Sequence, residues 1–269
     1  MEATLVQAVV LGAVQGITEF LPVSSTAHLA VIPRMLGWSG PLINSLTFDV
    51  ALHAGTLVAL LAAFRKEWAA LALALARPRS RQGPFAWWLA AACLPAVATG
   101  LFLEKSAGET FRNPAWIAVF LAAGGALLWW ADSRSRGRAR AESVVSWRAL
   151  AIGCAQALSP LPGISRSGIT ITAGLLLGMG RKEAARYSFL LSTPIILGAV
   201  IWKGRHYHEF ASANWAVIGA GTAVAALTGM AAIRLLLRFA AKSGYAPYAI
   251  YRLVLAAAIA IWALSARLA

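Results

Sequence analysis

Gln15-Gly16-Ile17-Thr18-Glu19-Phe20-Leu21-Pro22-Val23-Ser24-Ser25-Thr26-Ala27-His28 lies in the middle of an otherwise apolar stretch, residues 3–37. A helix that crosses a bilayer needs roughly 20 predominantly apolar residues. An acid, a proline, a run of hydroxyls and a histidine at its centre argue against a continuous span. Irregular backbone at membrane depth is tolerated only where protein or a water-filled cavity surrounds it. The stretch therefore reads as a re-entrant helix–turn–helix hairpin. Its first helix ends or bends at Pro22, and a second starts at Ser24-Ser25-Thr26, where serine and threonine cap well.

A second stretch, residues 149–178, is interrupted in the same way by Gln156, Ser159, Pro160, Pro162, Gly163, Ser165, Arg166 and Ser167. Gln15 and Pro22-Val23-Ser24-Ser25 correspond to Gln156 and Pro162-Gly163-Ile164-Ser165. Leu36-Gly37 closes the first hairpin as Leu177-Gly178 closes the second. Each is followed by three apolar spans, six in all: 43–64, 84–104, 114–131, 187–202, 214–234 and 246–266. The pattern is an internal repeat, with repeat one at about 1–131, repeat two at about 149–269 and a basic linker at 132–148. The expected architecture is a single all-α integral membrane domain of about six transmembrane helices and two re-entrant hairpins.

Composition agrees. The 269-residue chain is 59% hydrophobic and 13% charged, with a mean hydropathy of +0.69. Soluble domains average about 45–50% apolar and 25% charged. The net charge of +14 could suggest nucleic acid, but that needs a basic water-facing surface. Here 16 of the 24 Lys and Arg sit in the loops 65–81, 132–148, 181–186 and 234–242, as the positive-inside rule places them on the cytoplasmic side. Nucleic-acid binding is excluded on this ground. The first hairpin then enters from outside and the second from inside, with opposite topology and both ends of the sequence outside. Cys93 and Cys154 have no ligand-spaced partners and read as small buried hydrophobes. Tryptophans near span ends form an aromatic belt, and Met1-Glu2 begins no signal peptide.

Inverted repeats bring broken helices together near the midplane, helix N-termini facing an anionic ligand. Gln15 and Glu19, four apart, share a helix face. Glu19 and His28 are ionisable groups in apolar surroundings, hence functional-site candidates; capping hydroxyls and a structural histidine are the plainer alternative. In Pro162-Gly163-Ile164-Ser165-Arg166-Ser167-Gly168, Gly163 permits a tight turn. Hydroxyls and free N–H groups at a helix start make an anion site, and the planar fork of Arg166 matches phosphate oxygens. Phosphate or diphosphate is the anion this set fits best.

At these residues the sequence resembles the undecaprenyl-pyrophosphate phosphatase family, also called the bacitracin-resistance protein family. Gln15 and Glu19 match its Glu/Gln-x-x-x-Glu motif. Pro22 to His28 match its Pro-Val-Ser-Ser motif, and Pro162 to Gly168 its Pro-Gly-x-Ser-Arg-Ser-Gly motif. The resemblance implies an inner-membrane enzyme that hydrolyses undecaprenyl pyrophosphate to undecaprenyl phosphate and inorganic phosphate, conferring bacitracin resistance. It also implies a divalent cation, magnesium or calcium, an active site reached from the periplasm, and a chain compatible with a homodimer.

On that basis Ser25 is expected to attack the terminal phosphorus, with His28 at i+3 accepting its proton. Arg166 would clamp the phosphate. Glu19, with Gln15, would hold the cation. Ser24, Thr26, Ser165 and Ser167 would donate to phosphate oxygens, and Gly163 would shape the turn. A metal-activated water with His28 as base is the alternative mechanism. Asp49 and His53 share a face of the first span, either supporting the site or simply buried between helices; His206 and His208 read as a solvated face. A polyprenyl-phosphate flippase or secondary transporter is the rival function, and a purely structural membrane scaffold leaves Glu19, His28 and Arg166 unexplained.

Overall fold

The apolar runs form helices, and each polar interruption becomes a turn between two shorter ones. The computed structural model describes residues 4–38, 40, 42–43, 45–102, 113–204 and 214–268. In chain order the helices are α1 (Leu5–Phe20), α2 (Ser25–Met35), α3 (Leu46–Ala63), α4 (Arg65–Ala76), α5 (Gly83–Ala91), α6 (Leu94–Phe102), α7 (Pro114–Arg134), α8 (Trp147–Gln156), α9 (Arg166–Leu176), α10 (Arg181–Gly204), α11 (Trp215–Ser243) and α12 (Ala246–Leu268). A 3-10 turn, Ala141–Ser143, sits in the linker. Among the described residues there is no strand, only an isolated bridge between Ala139 and Met179.

Five segments are long and apolar enough to cross a membrane: Gly83–Phe102, Pro114–Arg134, Arg181–Trp202, Trp215–Ser243 and Ala246–Ser265. The bent pair Phe48–Ala63 and Arg65–Ala76, which turns by 81°, makes a sixth if taken as one span. The chain is an all-α integral membrane protein. Residues 65–81, read from sequence as a loop, are helical through Ala76, because the Ala/Leu run after Trp68 favours helix. The span at 187–202 begins earlier, at Arg181, since Lys182, Glu183 and Arg186 lower its hydropathy without breaking the helix. Cys93 is buried but Cys154 is exposed, correcting the expectation for the second. His206 and His208 lie outside the described residues.

The helix ends are capped as the sequence directs. Thr4 and Gln7 form a capping box on α1, and the Asn113 and Asn214 side chains accept from the first turns of α7 and α11. Packing then joins the two halves. Helix α11 lies along α1 and α3, α12 along α7, and α8 against α5 and α6. Glycine allows the closest approaches. A Cβ at Gly12 would stand 2.3 Å from the Gly221 carbonyl oxygen, and one at Gly153 would stand 2.2 Å from that of Ala92.

The repeat is visible in the backbone. The same spacing, 141 residues, separates Gly12 from Gly153, Gln15 from Gln156, Ser24 from Ser165 and Gly37 from Gly178. Gln15 and Gln156 are both fully buried. Ser24 and Ser165 both have positive φ, 75° and 66°, and Gly37 and Gly178 close their hairpins at 63° and 86°.

The basic loops gather at one end. Residues from all four, including Glu67, Arg140, Lys182 and Arg234, line a cleft of about 600 Å³. There Asp132, at the end of α7, accepts from Arg181 Nε at 2.6 Å and from the Tyr245 amide at 2.9 Å, tying the starts of α10 and α12 to it. Substituting Gly12→Val should force α1 off α11. Overpacking of this kind costs about 1–3 kcal/mol, so the thermal midpoint in detergent should fall by several degrees. An unchanged midpoint would show that the two helices are not in contact there.

Candidate active site

The turn between α1 and α2 and the turn between α8 and α9 meet. Arg166, the first residue of α9, places Nη2 2.6 Å from Glu19 Oε1 on α1. Its Nη1 donates to the Ser192 carbonyl at 3.1 Å. The Ser167 hydroxyl donates to the Leu21 carbonyl at 3.1 Å, a second link between the tips. Glu19 sits at the last turn of α1, its side chain 6% exposed, opposite an Arg166 side chain 12% exposed. Its other oxygen, Oε2, accepts from the Ser25 hydroxyl at 2.5 Å and from Gln15 Nε2 at 3.1 Å.

These groups face a cavity of about 360 Å³ whose polar walls include Glu19, Ser24, Ser25, His53, Ser165 and Arg166; Thr26 and Asp49 also reach it. Its apolar walls come from α6 and α10, at Ala96, Ile195, Ile196, Ala199 and Val200. The starts of α2 and α9 both open on it, so two helix N-termini supply their partial positive charge. Cavity and basic cleft lie at opposite ends of α10, since Lys182 lines one and Ile196 the other. That separation is roughly 20 Å of helix rise. The basic cleft holds no comparable nucleophile beside a carboxylate, and its Glu142 is spent on Arg186.

Several predicted residues sit elsewhere. His28 does not face Ser25. Its Nδ1 lies 2.7 Å from the Ser24 carbonyl and its Nε2 2.7 Å from the Tyr251 hydroxyl. A carbonyl can only accept, so Nδ1 carries a proton and both ring nitrogens are engaged. The i+3 spacing misled because helical side chains lean toward the N-terminus, which folds His28 onto the carbonyl four residues back. His53 makes the same local bond, Nδ1 to the Asp49 carbonyl at 2.7 Å, but its Nε2 stands 3.5 Å from Glu19 Oε2. The histidine beside the carboxylate is thus His53, from a pair that the sequence left undecided. Ser167 is turned to Leu21, and Gly163 lies behind the cavity, its carbonyl accepting from Arg252 Nη2 at 2.9 Å. Ser24 makes no capping bond; its hydroxyl meets that of Thr26 at 3.2 Å. Ser165 Oγ does cap, accepting from the Gly168 amide at 3.1 Å.

The Glu19–Gln15 pair does not fit a cation in this arrangement. Gln15 turns its donor nitrogen to Glu19, and its oxygen is buried without a partner. Both Glu19 oxygens already accept from Arg166, Ser25 and Gln15. Among the described residues no three His, Cys, Asp or Glu come together as ligands.

Comparison with known proteins points the same way as the motifs. The family model for "Bacitracin resistance protein BacA" matches residues 8–258. The undecaprenyl-diphosphatase of Moorella thermoacetica is 46% identical over 259 residues, covering 95% of this chain and 97% of that protein. Those of Gemmatimonas aurantiaca and Pelotomaculum thermopropionicum are 47% and 42% identical, covering 94% and 97% of this chain and 95% and 97% of their own lengths.

Removing one partner of a buried ion pair strands the other and costs about 3–5 kcal/mol. Glu19→Gln and Arg166→Gln should therefore each lower the thermal midpoint in detergent, and the double substitution should recover much of the loss. A double variant as unstable as the two losses combined would mean that the pair is not directly coupled.

Proposed function

This chain belongs to the bacitracin-resistance protein family, and on that premise we propose that it hydrolyses undecaprenyl diphosphate to undecaprenyl phosphate and inorganic phosphate. The observation that carries the reading is the contact of Ser25 with Glu19, 2.5 Å, beside Arg166 in one cavity. A binding site for a phosphate needs donors. It does not need a hydroxyl held on a carboxylate that can take its proton.

In this mechanism the terminal phosphate enters between the starts of α2 and α9 and draws the Arg166 guanidinium from Glu19 onto its oxygens. Glu19 is then free to accept the Ser25 proton. Ser25 Oγ forms a bond to the terminal phosphorus, and the bond from that phosphorus to the bridging oxygen breaks. Undecaprenyl phosphate departs as an anion that needs no protonation. Glu19 gives up this first proton by way of His53; water then attacks the phosphoserine and passes a proton to Glu19, which hands it to Ser25 Oγ as the bond from phosphorus to Oγ breaks and inorganic phosphate leaves. His53 stands next to Glu19 as the neighbour that can relay the proton outward. Phosphoryl transfer depends chiefly on positioning and charge stabilisation, which Arg166 and the helix starts supply. The apolar walls on α6 and α10 suit the first isoprene units of the lipid.

A divalent cation is read here as a companion of the diphosphate, because a hard cation such as magnesium is commonly held by substrate phosphates with one or two carboxylates. No step above is assigned to it. The basic end is taken as cytoplasmic, so that the cavity opens toward the periplasm, and the two hairpins enter an inner membrane from opposite faces. Recycling the carrier in this way leaves less of it as the diphosphate, which is how the activity would protect a cell from bacitracin.

Purified protein in detergent, where no compartment exists to transport across, should release inorganic phosphate from undecaprenyl diphosphate. Arg166→Ala should lower kcat by about 10²–10³-fold, the usual cost of one transition-state donor. Ser25→Ala should lose more, and denaturant quenching of the wild type should trap phosphate on Ser25. A Ser25→Ala protein with near-normal turnover would remove serine from the mechanism; no release by the wild type would favour a flippase.

A further inference from the structure

Two consecutive residues of α12 each reach one of the two tips, and we propose that Tyr251 and Arg252 form a positioning pair that sets the serine amides of both half-sites for phosphate; the inference rests on the hydrolase reading above. The Tyr251 hydroxyl lies 2.7 Å from His28 Nε2, and the two rings stack 5.7 Å apart at 3°. His28 in turn holds the Ser24 carbonyl. The Arg252 side chain, fully buried, donates from Nη2 to the carbonyls of Gly163 at 2.9 Å and Ile164 at 2.8 Å.

The carbonyls chosen are informative. In a trans peptide the C=O and N–H point in opposite directions. Holding the Ser24 carbonyl turns the Ser25 N–H away from His28. Holding the Ile164 carbonyl turns the Ser165 N–H away from Arg252. Ser25 and Ser165 are the residues that line the cavity, and among the described residues neither amide has a backbone acceptor. The two tethers therefore leave two unspent donors one residue out of register in the two hairpins, one on the peptide that follows the positive-φ Ser24 and one on the peptide that precedes the positive-φ Ser165.

Arg252 is also costly, which argues for a purpose. Its Nε and Nη1 are buried without partners, and an ionised group in a membrane segment is expensive. Room for it is kept by glycine: a Cβ at Gly168 would stand 2.6 Å from Nη1 and one at Gly124 2.0 Å from Nη2. This gives the final glycine of the Pro162–Gly168 motif a role that phosphate contact alone does not.

The test is phosphate release by Tyr251→Phe and Arg252→Lys, with kcat and KM separated and the thermal midpoint measured beside them. Tyr251→Phe keeps the ring and removes only the hydroxyl. It should lower kcat about tenfold, with KM within about twofold and the midpoint unchanged, as expected of small misplacement in a preorganised site. In a His28→Asn background the same change should have no further effect, since Tyr251 acts through His28. Arg252→Lys should lower kcat at least as much. If Arg252→Lys does not fold, Tyr251→Phe decides alone. Folded variants with wild-type kcat would overturn the positioning role while leaving the hydrolase intact; a wild type that releases no phosphate would overturn both.

Discussion

The ion pair between Glu19 and Arg166 joins two hairpin tips that are 147 residues apart in the chain. Each ion alone in this buried place would carry a desolvation penalty of several kcal/mol. Neither tip can withdraw without leaving the other charge uncompensated. The pair therefore fixes the distance between the half-sites, and the remaining features follow from that distance: Ser25 on the same carboxylate, Ser167 on the Leu21 carbonyl, and a cavity bounded by residues of both hairpins. Such a pair can also be exchanged. In the mechanism proposed above, phosphate takes Arg166 from the shared carboxylate, and that exchange releases the group that accepts the Ser25 proton.

Strain is concentrated at the same place. Ser24 and Ser165 take positive φ, a conformation that costs a non-glycine residue of order 1–3 kcal/mol and persists only when the surroundings enforce it. Both turns are bonded to an element outside the hairpins: Tyr251 of α12 to His28 at the first, and Arg252 of α12 to the Gly163 and Ile164 carbonyls at the second. The repeat supplies two similar half-sites, and their chemistry has diverged. The first gives the carboxylate and the hydroxyl held on it, the second the guanidinium, so that Ser25 and Arg166 occupy the same position after their strained serines.

Much of this was legible in the chain. Spans could be read because lipid demands about 20 apolar residues, and the hairpins because Glu19 and Arg166 have no place in a continuous span. Boundaries were less legible: the charges at the start of α10 hid a helix that continues through them, and the 81° bend after Ala63 depends on packing. Glu19, Ser25 and Arg166 stand out as candidates in the sequence because charge and hydroxyl are rare at membrane depth, and the structure brings the three together. The role of His28 was misjudged because spacing along a helix says nothing of a tyrosine 223 residues away. Arg252 carried a signal, an arginine inside an apolar span, but the carbonyls it serves belong to a turn visible only in three dimensions.

The central claim is that diphosphate binds where the two tips meet. An experimental structure with a methylene-bridged, non-hydrolysable analogue of undecaprenyl diphosphate tests it most directly. The terminal phosphonate should lie against Ser25 and Arg166, with Arg166 drawn from Glu19 and the lipid leaving between α6 and α10. A headgroup bound instead in the basic cleft near Arg234, with the Glu19–Arg166 pair intact, would contradict the account.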